Sequence, residues 1–303
     1  MIESFEQLQK IADEKNLKIS DIAILEQIAD TNVSEQSVLD TMRESLDVML
    51  KAIEDGSKKG VKSTSALTGG DAYKMQEYIN KGKTLTGTLI ARAIEMSLAV
   101  AELNAAMGKI VACPTGGSSG ILPAALGVMI KEKAITKEEA NRSLFTAGMV
   151  GLIIAKNASI SGAEGGCQAE CGTASAMAAA SIVELSGGSV EMCIHAVAIA
   201  IKCILGLVCD PVAGLVEVPC IKRNASGVTL AFTAAEMALA GIKSVIPADE
   251  VVETMKKIGD SMPASLRETA EAGLADTPTG RSLEKDIFET LKHGGACASC
   301  ATC

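Results

Sequence analysis

The sequence is organised around two segments, SGAEGGCQAECGTASAMAAA (residues 161–180) and CDPVAGLVEVPCIKRNASG (residues 209–227). A thiol inside an apolar helix packs as a small hydrophobic group. Cys167 instead follows two glycines, and Cys209 and Cys220 each lie within two residues of a proline. Glycine and proline interrupt regular structure, so sulfurs from these separate loops can point at one spot. Such a spot suits a metal.

Composition favours closely packed helices. The chain has 303 residues, and its hydrophobic content of 48% is enough to bury a substantial core. Aromatic residues make up only 2% of the chain and tryptophan is absent, so the core must consist of Ala, Leu, Ile, Val and Met with many glycines. These residues favour helices over sheets, and no stretch alternates with period two for long enough to predict a sheet. We therefore expect an all-α fold.

Apolar spacing and capping signals place the helices. Two short helices are expected over residues 5–30, and an amphipathic helix is expected between Ser34 and Gly56. Thr136 and Glu139 form a capping box. Further helices are expected over residues 84–107, 173–186, 193–208 and 228–240, with Ser189 as a cap, and another helix is expected to begin at Pro247.

Charge and hydropathy exclude several classes of partner. The net charge is −9, whereas nucleic acids and anionic membranes are bound by clustered Lys and Arg. The opening MIESFEQLQKIADEK lacks a basic segment followed by an apolar one, so no signal peptide is expected. The most apolar segment, residues 193–208, is shorter than the roughly 20 residues of a membrane span. We expect a cytoplasmic protein that binds neither nucleic acid nor membrane.

The cysteine usage points to metal binding or catalysis. Ten cysteines in a cytoplasmic chain are not expected to form a disulfide framework. Three of them, Cys297, Cys300 and Cys303, follow a glycine pair at the end of the chain. That segment is open to three interpretations: a metal motif, an arm that reaches a site elsewhere, or an end without a role.

Two polar loops are candidates for anion binding. Residues 56–75 are dense in Gly, Ser, Thr and Lys, and they either hold a small anion near Lys74 or form a solvated connector capped at Asp71. Residues 113–120, CPTGGSSG, precede a helix whose dipole favours an anion such as a carboxylate. A tight turn without a ligand explains this second pattern equally well. On its apolar helix, His195 is interpreted as a hydrogen-bonded core residue.

Taken together, the motifs resemble those of the α chain of the iron–sulfur-dependent L-serine dehydratases, and the resemblance covers almost the whole chain. Their order along the sequence is more specific than any one of them. They are TGGDAYKM (68–75), CPTGGSSGILPA (113–124), SGAEGGCQAE (161–170), CDPVAGLVEVPCIKRN (209–224), MPASLRET (262–269) and the terminal Cys303.

The resemblance implies a cofactor and a reaction. In that family three cysteines hold a [4Fe-4S] cluster, and the matching positions here are Cys167, Cys209 and Cys220. An iron with an open position acts as a Lewis acid on the substrate hydroxyl and carboxylate, which allows dehydration and deamination of L-serine to pyruvate and ammonia without pyridoxal phosphate. Candidate substrate contacts are Lys74, Thr115, Gly116, Gly117, Ser118, Ser119, Arg223 and Asn224.

The resemblance also implies a fourth ligand and a partner. In the family a C-terminal cysteine occupies the open iron until substrate displaces it, which assigns that role to Cys303, with Cys297 and Cys300 as competitors. Single-chain relatives begin with a small domain bearing a serine-rich loop with histidine, whereas this sequence contains only His195 and His293. We therefore expect a β subunit that supplies this domain and the general base. A higher homo-oligomer of that heterodimer is left open.

The expected organisation is a multihelical single catalytic domain over residues 1–293, whose loops converge on the iron–sulfur cluster, and a flexible Cys-containing tail over residues 294–303. Two alternatives are kept beside L-serine dehydration. One is a cluster-dependent L-cysteine desulfidase of similar architecture, and the other is a non-catalytic cysteine-rich metal or electron-transfer module.

Overall fold

The computed structural model describes residues 2–292, and within that range the chain forms twelve α-helices and three short 3-10 turns. The helices are α1 (Phe5–Lys15), α2 (Ile19–Thr31), α3 (Glu35–Gly56), α4 (Asp71–Asn80), α5 (Gly87–Ala105), α6 (Ile121–Lys133), α7 (Lys137–Asn157), α8 (Gly162–Leu185), α9 (Val190–Lys202), α10 (Cys220–Leu239), α11 (Ala248–Ser261) and α12 (Pro278–Lys292). The pairing of Cys209 with Arg267 is an isolated bridge outside any strand. The expected all-α fold is thus confirmed for the described residues. None of these helices is both long enough and apolar enough to cross a membrane.

The capping signals read from the sequence are confirmed. The hydroxyl of Ser34 accepts a hydrogen bond from the third residue of α3, and Thr136 forms the expected reciprocal pair with Glu139 at the start of α7. Ser189 caps α9 in the same way. These side chains satisfy backbone donors that the first turn of a helix leaves unpaired.

Several expected boundaries are wrong. The helix expected over 84–107 begins only at Gly87, and the one expected to run to 208 ends at Lys202. The helix expected from 173 begins at Gly162, and the one expected from 228 begins at Cys220. The Ser161 hydroxyl caps the start of α8 by accepting from the N–H of Ala163. Helix α10 has no side-chain cap and begins with the buried Cys220 and Ile221, so tertiary packing sets its start.

Helix α8 is the centre of the fold. It packs against α6, α7, α9, α10 and α11, and almost every residue from Gly165 to Glu184 is buried. A helix that is buried on all sides has no polar stripe, so the Ala, Gly and Ser residues of α8 replace the amphipathic pattern. Their small side chains allow neighbouring helices to approach closely.

The close approach of α3 to α5 gives a test of this packing. A methyl group added at Gly56 would overlap the backbone carbonyl of Ala99, whereas a methyl group added at Gly148 of α7 meets no atom within 4 Å. We expect Gly56→Ala to lower the free energy of unfolding by about 1–3 kcal/mol. The matched variant Gly148→Ala should be neutral or stabilising by up to about 1 kcal/mol. Urea unfolding measures both, and equal stability of the two variants would contradict the packing described.

Candidate functional site

Four buried thiols meet where α8, the loop after α9 and the start of α10 come together. Cys171 and Cys209 both hydrogen-bond to the sulfur of Cys167. Cys220 lies close enough for the charge of Cys167 to act on it. The structure therefore joins Cys171 and Cys209 to Cys167 by hydrogen bonds and places Cys220 within range of the charge of Cys167, and all four are free thiols.

Electrostatics around the thiols favour one thiolate. Hydrogen bonds from Cys171 and Cys209, aided by the Arg223 guanidinium, lower the pKa of Cys167 to about 3. Donating to Cys167 raises the pKa of Cys171 and of Cys209, and burial raises the pKa of Cys220 to about 12. The cluster thus carries one stabilised thiolate and further thiols that a bound metal can deprotonate.

Arg223 is the cation next to this group. Its Nη1 lies 3.4 Å from the sulfur of Cys167 and 2.9 Å from the carbonyl oxygen of Val208, and its Nη2 lies 2.8 Å from a carboxylate oxygen of Asp210. Arg223 and Asp210 are both largely buried. The guanidinium therefore links Cys167 of α8 to the loop that carries Cys209.

Backbone hydrogen bonds place the Cys209 loop against α8. The buried Gln168 donates its N–H to the carbonyl of Leu207 at 2.9 Å. The N–H of Cys209 donates to the carbonyl of Leu266 at 2.9 Å, and its own carbonyl accepts from the N–H of Glu268 at 2.7 Å. The MPASLRET motif thus contacts both the Cys209 loop and the first turn of α8, to which Arg267 donates at the carbonyl of Glu164.

The CPTGGSSG loop lies beside the thiols and contains backbone N–H groups that have no acceptor within the described residues. The Thr115 hydroxyl lies 3.1 Å from that of Ser118, and the Ser119 hydroxyl donates to the carbonyl of Gly116 at 2.7 Å. Within residues 2–292, no hydrogen bond uses the backbone N–H of Gly116, Gly117 or Ser118 as donor. Successive free amides at a helix start are suited to an anion.

Asn224 fixes this loop to the start of α10. Its amide nitrogen donates to the carbonyls of Gly117 at 2.7 Å and Cys220 at 2.9 Å, and its oxygen accepts from the N–H of Gly120 at 2.9 Å. The side chain is fully buried. Asn224 therefore sets the distance between the hydroxyl loop and one of the thiols.

Lys74 lies on the surface, apart from the thiols. Its ammonium pairs with Asp71 at 2.8 Å, and the same carboxylate binds Lys222 of α10 at 2.6 Å. The first amides of α4 donate to the buried Glu102 at 2.8 and 3.2 Å, so Glu102 rather than Asp71 caps this helix.

The remaining hydroxyls of the loop over residues 56–75 are also engaged by protein groups. Ser65 and Thr68 donate to the two carboxylate oxygens of the buried Glu217 at 2.7 and 2.6 Å. Glu217 lies in the segment between Cys209 and Cys220. This contact anchors the segment that carries two of the thiols.

Two carboxylates of the site were not assigned a role from the sequence, although both lie in quoted motifs. Glu170 is buried, it accepts a hydrogen bond from the Thr115 hydroxyl, and burial raises its pKa to about 7. Oxygen and sulfur atoms of Glu170, Cys167 and Cys171 lie within 4.8 Å of one another and could hold a metal ion. Glu268 lies at the rim, and burial raises its pKa. The sequence pattern that could have identified Glu170 is its i, i+3 spacing from Cys167, which places the two residues on one helix face.

The other cysteines and the histidine lie outside this group. Cys113 and Cys193 are buried, and burial raises the pKa of each thiol, whereas Cys203 is exposed. His195 accepts from the N–H of Ser244 at 3.4 Å. The tail over residues 294–303, with Cys297, Cys300 and Cys303, lies outside the described residues, as does His293.

The described part of the chain is all-helical, and its buried thiols and a carboxylate could hold a metal beside a loop with free amides. These features define a candidate metal-dependent enzyme. Residues 14–275 match the family model described as "Serine dehydratase alpha chain". The chain belongs to this family. The resemblance identified from the motifs is therefore confirmed.

Similarity to named proteins supports the same family assignment. The chain is 52% identical over 299 residues to the probable L-serine dehydratase, alpha chain, of Bacillus subtilis (strain 168), with 99% of this chain and 98% of that protein covered. It is 42% identical over 298 residues to the L-serine dehydratase, alpha chain, of Peptoniphilus asaccharolyticus, with 97% and 100% covered. L-serine dehydratase 2 of Escherichia coli (strain K12) is 38% identical over 280 residues, which cover 88% of this chain but only 60% of that longer protein.

The bridging role of Asn224 gives a test of the site geometry. In Asn224→Leu, the N–H of Gly120 and the carbonyl of Gly117 lose their partners inside the protein, so we expect a loss of about 2–5 kcal/mol in unfolding free energy. Ser226→Ala is the control, because that exposed hydroxyl of α10 bonds only to its own helix. Urea unfolding of both variants measures the difference. A leucine variant as stable as the control would contradict the assigned bridge.

Proposed function

We propose that this chain is the α subunit of an iron–sulfur-dependent L-serine dehydratase, which converts L-serine into pyruvate and ammonia. The observation that carries the proposal is the meeting of the Cys167, Cys209 and Cys220 thiols, from three separate segments, beside a loop with free amides. Membership of the serine dehydratase alpha chain family and the names of the relatives support the same reaction.

The chemistry of the donor set fits a [4Fe-4S] cluster. Thiolates are the ligands of such clusters, and here the thiols are buried, unpaired by disulfides and close together. Cys167, Cys209 and Cys220 would hold the cluster, and Cys303 is proposed as its fourth ligand in the resting enzyme. When bound, the cluster supplies a Lewis acid that makes the substrate hydroxyl a better leaving group.

The residues of the chain itself bind and orient the substrate. The free amides of Gly116, Gly117 and Ser118 are suited to the serine carboxylate, and Asn224 holds this loop at a fixed distance from Cys220. Burial of the thiols and of Glu170 keeps bulk water from the reacting centre, which strengthens electrostatic interactions there. Loss of the Cα proton and the β-hydroxyl, together as one water, gives an aminoacrylate, which takes up water to give pyruvate and ammonia.

The general base is proposed to come from a β subunit. His195 does not face the thiols: its ring lies 3.5 Å from Glu191 and accepts from the N–H of Ser244. The names of the first two relatives describe alpha chains, which supports a partner chain for this protein as well.

Iron analysis tests the cofactor assignment. The chain purified or reconstituted under anaerobic conditions should contain about four irons and four sulfides. Cys167→Ser, Cys209→Ser and Cys220→Ser should each lose most of this iron, because each removes a proposed ligand. The control is Cys203→Ser, whose thiol is exposed and outside the group. Full iron content in all three ligand variants would overturn the assignment.

Reconstitution with the partner tests the two-chain proposal. The iron-loaded chain alone should form little pyruvate from L-serine, because it lacks the base, and addition of the β chain should restore turnover. Pyruvate release is measured with each chain alone and with the mixture. Full activity of the isolated chain would contradict the proposal.

A further inference from the structure

Two carboxylates face one open point at the edge of the thiol group. A methyl group placed on Gly162, the first residue of α8, would lie 3.0 Å from the sulfur of Cys209, 3.1 Å from Oε2 of Glu268 and 3.5 Å from Oε2 of Glu170. Three acidic or sulfur-containing side chains from separate segments therefore surround the same small volume. Glycine leaves that volume open.

Glu170 directs an unpaired oxygen into this volume. Only 8% of the residue is exposed, and its Oε1 accepts a hydrogen bond from the hydroxyl of Thr115. Among the described residues no donor reaches its Oε2. Gly117 restricts the carboxylate on the other side, since a methyl group there would lie 2.5 Å from Oε1. A buried carboxylate with a single donor is poorly solvated, so a cation at Oε2 would be stabilising.

Glu268 supplies the second carboxylate from the rim. Its backbone adopts a left-handed conformation with φ +65°, and its N–H donates to the carbonyl of Cys209 at 2.7 Å. These backbone contacts place the exposed Glu268 beside the first turn of α8, where its Oε2 reaches the open volume at Gly162.

Neither carboxyl forms an ion pair among the described residues. The guanidinium of Arg223 acts on Glu170 but is held by Asp210, Cys167 and the carbonyl of Val208. A cation at Gly162 would therefore meet two carboxyl groups that have no paired charge. A small organic cation that enters the site would be attracted to this point.

We propose that Glu170 and Glu268 together bind the α-ammonium group of the substrate, with Thr115 orienting Glu170. The inference rests on the proposed function, because it assigns the amine of the L-serine zwitterion to one wall of the same site. Serine would then lie with its carboxylate on the amides of Gly116 to Ser118 and its ammonium on the two glutamates. The site would select α-amino acids over hydroxy acids that lack the amine.

Two ligands that differ only in the amine distinguish ammonium binding by these glutamates from a general structural role. The anaerobic, iron-loaded complex with the β chain is titrated with L-serine and with 3-hydroxypropanoate, which keeps the carboxylate and the β-hydroxyl but lacks the amine. Binding is followed by the ligand-induced spectral change of the cluster after rapid mixing, before turnover. The variants are Glu170→Gln and Glu268→Gln. The controls are Glu164→Gln and Glu271→Gln, which change exposed carboxylates nearby.

The expected result is selective. Each site variant should keep its iron content and weaken L-serine binding about tenfold or more, because a charged hydrogen bond is lost, while the affinity for 3-hydroxypropanoate and the behaviour of both controls stay unchanged. Equal weakening of both ligands, no weakening of L-serine, or loss of iron would overturn the inference. If the wild-type complex shows no response to L-serine, the proposed function itself fails, and this inference fails with it.

Discussion

The site depends on one backbone contact between α8 and the loop after α9. Gly166 has φ +74° and breaks the helix immediately before Cys167. A methyl group at Gly166 would lie 2.8 Å from the carbonyl oxygen of Leu207 and 2.9 Å from the sulfur of Met262. Only glycine fits both the dihedral and the space. The contact brings Leu207, and with it Cys209, against the first turn after the kink.

Once this contact is made, the other parts of the site are supported by buried polar side chains. The Gln168 side chain accepts from the N–H of Gly206 and donates to the carbonyl of Met255. Asn224 joins the hydroxyl loop to α10, and Glu217 holds the loop over residues 56–75. Each of these groups would be costly to bury without partners. Their hydrogen bonds therefore specify one arrangement of the loops around the thiols, which preorganises a site for ligands that arrive later.

The sequence predicted the parts of the fold that local interactions control. Caps such as Ser34 and Thr136 act within one turn, so their pattern is visible in the sequence. The start of α8 was missed because its first turn is rich in glycine, which has a low helix propensity, although the Ser161 hydroxyl caps it. The start of α10 at Cys220 was missed because burial of its first residues, rather than a side-chain cap, fixes it.

The site was predictable to the extent that its residue types are distinctive. Cysteines in separate glycine- and proline-rich segments indicated a shared site. The structure joins Cys167 to Cys209 by a hydrogen bond and places Cys220 within range of the charge of Cys167. Glu170 and Glu268 were not found, because a carboxylate in a sequence is by default exposed. Their significance lies in contacts between residues distant in sequence, such as Thr115 with Glu170. On the surface, Asp71 likewise makes a long-range ion pair with Lys222 in addition to its local pair with Lys74.

The central claim is that three protein sulfurs hold a cluster and leave one iron open to substrate. The most direct measurement is a Mössbauer spectrum of the chain loaded with ⁵⁷Fe, recorded with and without L-serine. The account predicts that one iron site shifts when L-serine replaces its resting ligand, while the remaining sites stay unchanged. A spectrum in which every iron has the same sulfur environment and none responds to L-serine would contradict it.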